Sequence, residues 1–266
     1  MRRQLSTVAA VAAAAALALA GCGSSSSGSG AAATPSGATS AAPSGEINVF
    51  AAASLTEAFG TIGKQFEAAH PGTTVTFNFG PSSGLATQIT QGAPADVFAS
   101  ASATNMDQVV AAKAADTPTT FVKNVMAIAV PPDNPANVTS INDLAKSSVK
   151  VAVCQPQVPC GKVAQQVFDN AGITVKPVTQ EVDVKATLSK VELGEVDAGM
   201  VYVTDVRAAG DKVKGVPIPA DVNASTSYPI ATLTASKNPA LAQAFVDYVL
   251  SPDGAAVLTG AGFQSP

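Results

Sequence analysis

From Ile47 to Leu250, apolar residues switch repeatedly between short continuous runs and a three-to-four spacing, which is the signature of strands followed by helices. Ile47 to Phe50 reads as a buried strand. Leu55, Ala58, Phe59, Ile62, Phe66 and Ala69 then recur at helical spacing until His70-Pro71-Gly72 stops them. Val75, Phe77 and Phe79 alternate as a strand, and a helix from Leu85 to Gln91 stops at Gly92. Asp96 to Ser100 predicts a strand, Asn105 to Ala114 a helix, and Asn124 to Val130 an apolar strand that runs into Pro131-Pro132.

A second series follows. It comprises a short helix at Ile141 to Ala145, a strand at Val149 to Val153, a helix near Lys162 to Ala171 ending at Gly172, and a strand at Thr174 to Thr179. A helix from Val184 to Leu193, terminated by Gly194, and a strand at Ala198 to Val203 complete it. The strand Tyr228 to Ala235 and the amphipathic helix Pro239 to Leu250 read as a return to the first series. The expected class is α/β: two lobes, each a mostly parallel sheet flanked by helices, with ligands at the carboxyl ends of strands. Residues 46–123 and 227–266 are expected to form a discontinuous lobe 1, and 124–226 lobe 2.

Composition changes the picture mainly at the amino end. Arg2 and Arg3, an apolar run from Val8 to Ala20 and Leu19-Ala20-Gly21-Cys22 read as an export signal over residues 1–21. Leu19 to Cys22 resembles the lipobox of bacterial lipoproteins, which implies lipidation of Cys22. The alternative is an ordinary signal followed by a free cysteine. Residues 22–45 are almost entirely Gly, Ser, Ala, Thr and Pro and predict a flexible tether.

Without the two signal arginines the chain carries 13 basic against 19 acidic residues, a formal charge of −6. That balance argues against nucleic acid as a partner. Few aromatics and no tryptophan argue against a sugar or a large apolar ligand. In an exported chain, Cys154 and Cys160 read as a disulfide closing Gln155 to Pro159. A metal site is the alternative, for which two thiols and a distant His70 are too few ligands.

Chemistry concentrates at strand-to-helix junctions. Ser54 follows the first strand and, with Glu57 three places on, predicts a capping box. Ser82 lies in Gly80-Pro81-Ser82-Ser83-Gly84. Pro159-Cys160-Gly161 opens another helix, and Asp183 is a natural N-cap that leaves the Val184 amide free to donate. Helix N-termini favour anions without any cationic side chain. Each junction taken singly is also an ordinary capped helix start, and Tyr202 on its apolar strand also reads as a core tyrosine.

Val49-Phe50-Ala51-Ala52-Ala53-Ser54-Leu55-Thr56, Gly92-Ala93-Pro94-Ala95-Asp96-Val97-Phe98 and Asp197-Ala198-Gly199-Met200-Val201-Tyr202 resemble the periplasmic molybdate-binding proteins of ABC importers, in order, from about Ile47 to Phe263. The resemblance implies the two-lobed periplasmic-binding-protein fold with the ligand in the interlobe cleft. It implies a molybdate or tungstate site made of the Ser54 and Ser82 hydroxyls, the Cys160 and Val184 amides and the Tyr202 hydroxyl, with no catalysis, no cofactor and no cation ligand. It also implies a monomer that hands the oxyanion to a membrane permease. Two positions depart from the family pattern: Cys160 replaces a small residue, and Pro81 stands where another serine is common.

The competing readings are a receptor of the same fold for another oxyanion such as sulfate, a secreted serine hydrolase built on Ser54 or Ser82, and a surface lipoprotein that binds only protein. The hydrolase lacks Gly-x-Ser-x-Gly and has one histidine, His70, at a helix end.

Overall fold

The chain alternates strands and helices in the order β1 (Gly45–Ala52), α1 (Thr56–Ala69), β2 (Thr73–Gly80), α2 (Ser82–Thr90), β3 (Val97–Ala99), α3 (Ala103–Ala111) and β4 (Thr119–Val130). It continues with β5 (Val151–Cys154), α4 (Pro159–Asn170), β6 (Thr179–Glu181), α5 (Val184–Glu192), β7 (Ala198–Tyr202) and α6 (Val203–Ala209). β8 (Lys214–Pro217), β9 (Ser225–Thr232), α7 (Pro239–Leu250) and α8 (Pro252–Ala261) close it. The computed structural model describes residues 44–266. The expected signal, Cys22 and nearly all of the tether lie outside the described residues. Among the described residues no helix is long and apolar enough to cross a membrane.

The nine strands form one sheet path, β2-β1-β3-β9-β4-β7-β5-β6, with β8 beside β4. β1 pairs in parallel with β2 and β3, and β5 in parallel with β6 and β7, each joined by helical crossovers as parallel strands require. The antiparallel pairs all involve β4 or β9. β4 serves both halves: residues 119–125 pair with β9, and 126–130 with β7 and β8.

Side chains alternate across β1. Ile47, Val49 and Ala51 join a core with Phe59, Ile62 and Phe66 of α1 and Phe245 of α7, whereas Phe50 packs on the other face with Leu85, Ile89, Phe98 and Met106. A separate core gathers Ile128, Val151, Val167, Leu188 and Met200 from β4, β5, α4, α5 and β7.

The structure corrects several local expectations. The Ser54–Glu57 capping box does not form. Ala53–Leu55 is a 3₁₀ turn, α1 begins only at Thr56 without a side-chain cap, and Ser54 and Glu57 find tertiary partners. The strand expected from Thr174 starts only at Thr179, because Pro177 has no N–H to give a ladder. β4 begins five residues before Asn124, and α6, β8 and α8 have no counterpart in the sequence reading. By contrast Asp183 does cap α5, accepting from the Ala186 N–H at 2.9 Å.

Candidate oxyanion-binding site

Ser54 sits in the turn after β1, and Ser82 is the first residue of α2. Cys160 is the second residue of α4, Val184 the first of α5, and Tyr202 ends β7. The fold brings all five to the wall of one cavity of about 20 Å³, together with the Ala101 loop and Asp183. A single water needs roughly 10–15 Å³, so the space is narrow. The five residues are 1 to 5 % exposed. Their polar groups therefore face the cavity or each other and not bulk solvent.

The amides of Cys160 and Val184 fall in the first turn of their helices, where no preceding turn supplies a carbonyl and the helix dipole is positive. Cys160 is disulfide-bonded to Cys154, with their Cα atoms 5.7 Å apart. Its sulfur is thus committed, and the amide remains as its polar contribution. Gly161 lets this turn form: a Cβ there would run into the Gln155 carbonyl oxygen.

The hydroxyls are held from behind. Ser82 Oγ accepts from the Ala101 N–H at 2.9 Å, and Ala101 is itself pinned by the Thr226 hydroxyl donating to its carbonyl at 2.7 Å. Ser54 Oγ lies 2.8 Å from Tyr228 Oη. Pro81 precedes α2 with extended backbone and leaves Ser82 as the first helical residue. Tyr202 Oη is buried without a hydrogen-bond partner among the described residues. Burial first, with Tyr228 and Asp205 adding to it, pushes this phenol well above its ordinary pKa, so Tyr202 is a protonated donor.

None of the described residues lining the cavity is Lys, Arg or His. The nearest cation in sequence, Lys185, is taken up elsewhere. Its Nζ lies 2.8 Å from both oxygens of Glu57, and 3.2 Å from Asp205 Oδ1 in an ion-pair contact without hydrogen-bond geometry. Asp183, half-buried in the wall, has Oδ1 engaged as a cap. The electrostatics are those of oriented neutral donors, which suit an anion small enough to touch all of them.

His70 closes α1 at the end opposite Ser54. Its ring stacks on Phe66 at 4.3 Å and Nδ1 lies 3.0 Å from the Phe66 carbonyl. The intervening helix spans roughly 20 Å, which removes His70 as a base for Ser54. The sequence reading missed Tyr228, Asn124 and Thr226, the residues that stand behind the hydroxyls. Tyr228 lies in an apolar strand with no local mark distinguishing it from a core tyrosine.

Polar groups converging on one cleft of a mixed α/β fold are the arrangement of a solute-binding protein. The chain belongs to the bacterial extracellular solute-binding protein family, which it matches over residues 47–264. It is 45% identical to the molybdate-binding protein ModA of Mycobacterium tuberculosis H37Rv over 235 residues, covering 88% of this chain and 89% of that one. It is 36% identical to the molybdate-binding protein ModA of Escherichia coli K12, covering 84% of this chain and 90% of that one. The periplasmic molybdate-binding protein of Azotobacter vinelandii superposes with a TM-score of 0.74 at 21% identity, covering 83% of this chain and 99% of that one. The shared fold is the two-lobed periplasmic-binding type.

Proposed function

We propose that the protein captures molybdate, and tungstate with it, in the cleft lined by Ser54, Ser82, Cys160, Val184 and Tyr202, and delivers the oxyanion to the permease of an ABC importer. In this reading the protein acts as a monomer, tethered to the outer face of the cell membrane through a lipid on Cys22. Residues 46–123 and 227–266 form one lobe and 124–226 the other, with β4 and β9 passing between them.

The observation that carries the reading is the convergence of five donor-bearing residues from both halves on one small cavity with no cation among the described residues of its wall. A dianion that leaves water needs its hydration shell replaced. Hydrogen bonds to an ionised group are roughly twice as strong as neutral ones, and amides already aligned by helices need no reorganisation. Because donors come from both lobes, the ligand favours the closed arrangement over an open one, and that difference is what a permease reads. The names of the relatives, molybdate-binding proteins of two bacteria at 45% and 36% identity, point to the same ligand.

The test is calorimetric titration of the purified protein with molybdate, tungstate, sulfate and phosphate. Tight one-to-one binding of the first two, with the others weak, is the expected result. Preference for sulfate or phosphate would move the substrate within the same site, and silence with all four would overturn the reading. Lipid anchoring is checked separately: Cys22→Ala should release the protein from the membrane fraction.

A further inference from the structure

We propose that Tyr228 is a positioning residue that fixes the direction of the Ser54 hydroxyl, so that Ser54 only donates into the cleft and oxyanions carrying a proton are disfavoured. The inference rests on the oxyanion-receptor reading and adds a specificity determinant that does not line the cavity.

The two serines are held by the same device, but only one of them is unambiguous. Ser82 Oγ faces the Ala101 N–H, which can only donate, so the Ser82 proton is free for the cleft. Ser54 Oγ faces Tyr228 Oη at 2.8 Å, and two hydroxyls can bond in either sense. The direction is decided one step further back, at Asn124, which is fully buried where β4 passes from β9 to β7. Asn124 Oδ1 accepts from the Val125 N–H at 3.0 Å, which places the amide nitrogen on the other side. Nδ2 donates to Thr204 Oγ1 at 2.8 Å and makes a long contact of 3.5 Å to Tyr228 Oη.

Approached by an amide donor, Tyr228 Oη uses a lone pair there, and its own proton goes to Ser54 Oγ. The Ser54 proton then points into the cleft. The opposite sense would turn a Ser54 lone pair toward a bound dianion and is excluded by repulsion. Burial raises the Tyr228 phenol above its ordinary value, keeping the donor protonated at every pH of interest. The ring cannot swing away, being fully buried with edge contacts to Phe263, Phe121 and Tyr202.

With Ser54, Ser82, Tyr202 and the amides all donating, the one side-chain acceptor in the wall is the Asp183 carboxylate, whose Oδ1 already accepts from the Ala186 amide. Hydrogen phosphate, which must place a proton somewhere, finds no acceptor at Ser54, Ser82 or Tyr202. Molybdate and sulfate, which carry none, are well served. In Tyr228→Phe the Ser54 hydroxyl loses its fixed donor and is free to accept.

The experiment is calorimetry at pH 8 with molybdate, sulfate and hydrogen phosphate on the wild type, Tyr228→Phe, Ser54→Ala and the double variant. In Tyr228→Phe molybdate and sulfate should weaken roughly tenfold, the scale of one charge-assisted hydrogen bond, while hydrogen phosphate holds or tightens. The molybdate-to-phosphate preference therefore falls by at least that factor, and adding Tyr228→Phe to Ser54→Ala should cost nothing further. A proportional loss for all three anions, or an equal loss in the Ser54→Ala background, means a merely structural role and overturns the proposal. Should Tyr228→Phe fail to fold, Asn124→Ala keeps the phenol and should shift the preference in the same direction; an unchanged preference there also overturns it. A wild type silent toward every oxyanion would instead remove the receptor reading, and this inference with it.

Discussion

Three hydroxyls reach the cleft at the residue scale, and their supports differ. Ser82 is held by a backbone amide, Ser54 by a phenol, and Tyr202 Oη by none of the described residues. An unpartnered buried hydroxyl is costly unless a ligand satisfies it. Tyr202→Phe is therefore expected to weaken molybdate binding by about 1.5–3 kcal/mol, roughly ten- to hundredfold, while leaving the melting temperature of the unliganded protein unchanged or raised. Titration and a thermal melt on the same variant read the two effects. Ser54→Ala should cost similar affinity, and because it strips Tyr228 of its acceptor, some stability as well. All five residues of the proposed site, which line one cavity, were legible in the sequence, four because strand-to-helix junctions carry local marks and Tyr202 through its family motif. The role first expected of Ser54 was not: its spacing to Glu57 is that of a capping box, yet each side chain gains more from a partner distant in sequence.

Among the elements, the start of α1 is tied to α5 and α6 by Lys185, whose ammonium lies between Glu57 and buried Asp205. Burial, only partly offset by Lys185, raises the Asp205 pKa from 3.8 to about 6. A raised folded-state value means that the folded protein binds the proton more tightly than the unfolded chain. The associated stabilisation is thus complete below about pH 3.8 and is lost as pH rises through about 6. Asp143 runs the other way. Lys146, then the amides of Thr139 and Ser140, hold it well below the usual carboxylate range, so its contribution is present above pH 3.8 and disappears on further acidification. Melting temperatures of Asp205→Asn should accordingly lack part of the decline that the wild type shows between pH 4 and 6. At the α4 start, Gly161→Ala would push a methyl against the Gln155 carbonyl and should cost at least about 1–3 kcal/mol in stability, since backbone cannot yield as a side chain does. Denaturant titration reads that loss, and oxyanion titration should show the Cys160 amide displaced.

For the whole molecule, a ligand held by both halves stabilises the folded chain by mass action. Molybdate at a hundred times its dissociation constant should add about 2.7 kcal/mol, which for a protein of this size is roughly 5–10 °C in melting temperature. Because the described residues of the wall hold neutral donors and the Asp183 carboxylate but no cation, affinity should fall only modestly as salt rises from low to physiological strength, unlike that of a site built on lysines or arginines. Titration at two ionic strengths checks this. The acidic balance of the chain, which argues against an anion ligand when read as net charge, is compatible with one here because oriented amides act at contact range while distant carboxylates are screened.

What the sequence determined by itself was whatever depends on neighbours along the chain: the α/β alternation from apolar spacing, the helix starts from Asp183 and Pro159, and the cysteine pair six residues apart. α6, β8 and α8 escaped it because Val203–Ala209 and Lys214–Pro217 are short and Pro252–Ala261 follows α7 with little apolar contrast, so each is formed by what it packs against. Only the tertiary structure decided what stands behind each hydroxyl. β9 places Tyr228 and Thr226 against loops more than a hundred residues away in sequence, and no local pattern encodes a hydrogen bond between Ser54 and Tyr228, 174 positions apart. The groups that bind are written at strand ends, and the groups that orient them are set by sheet register.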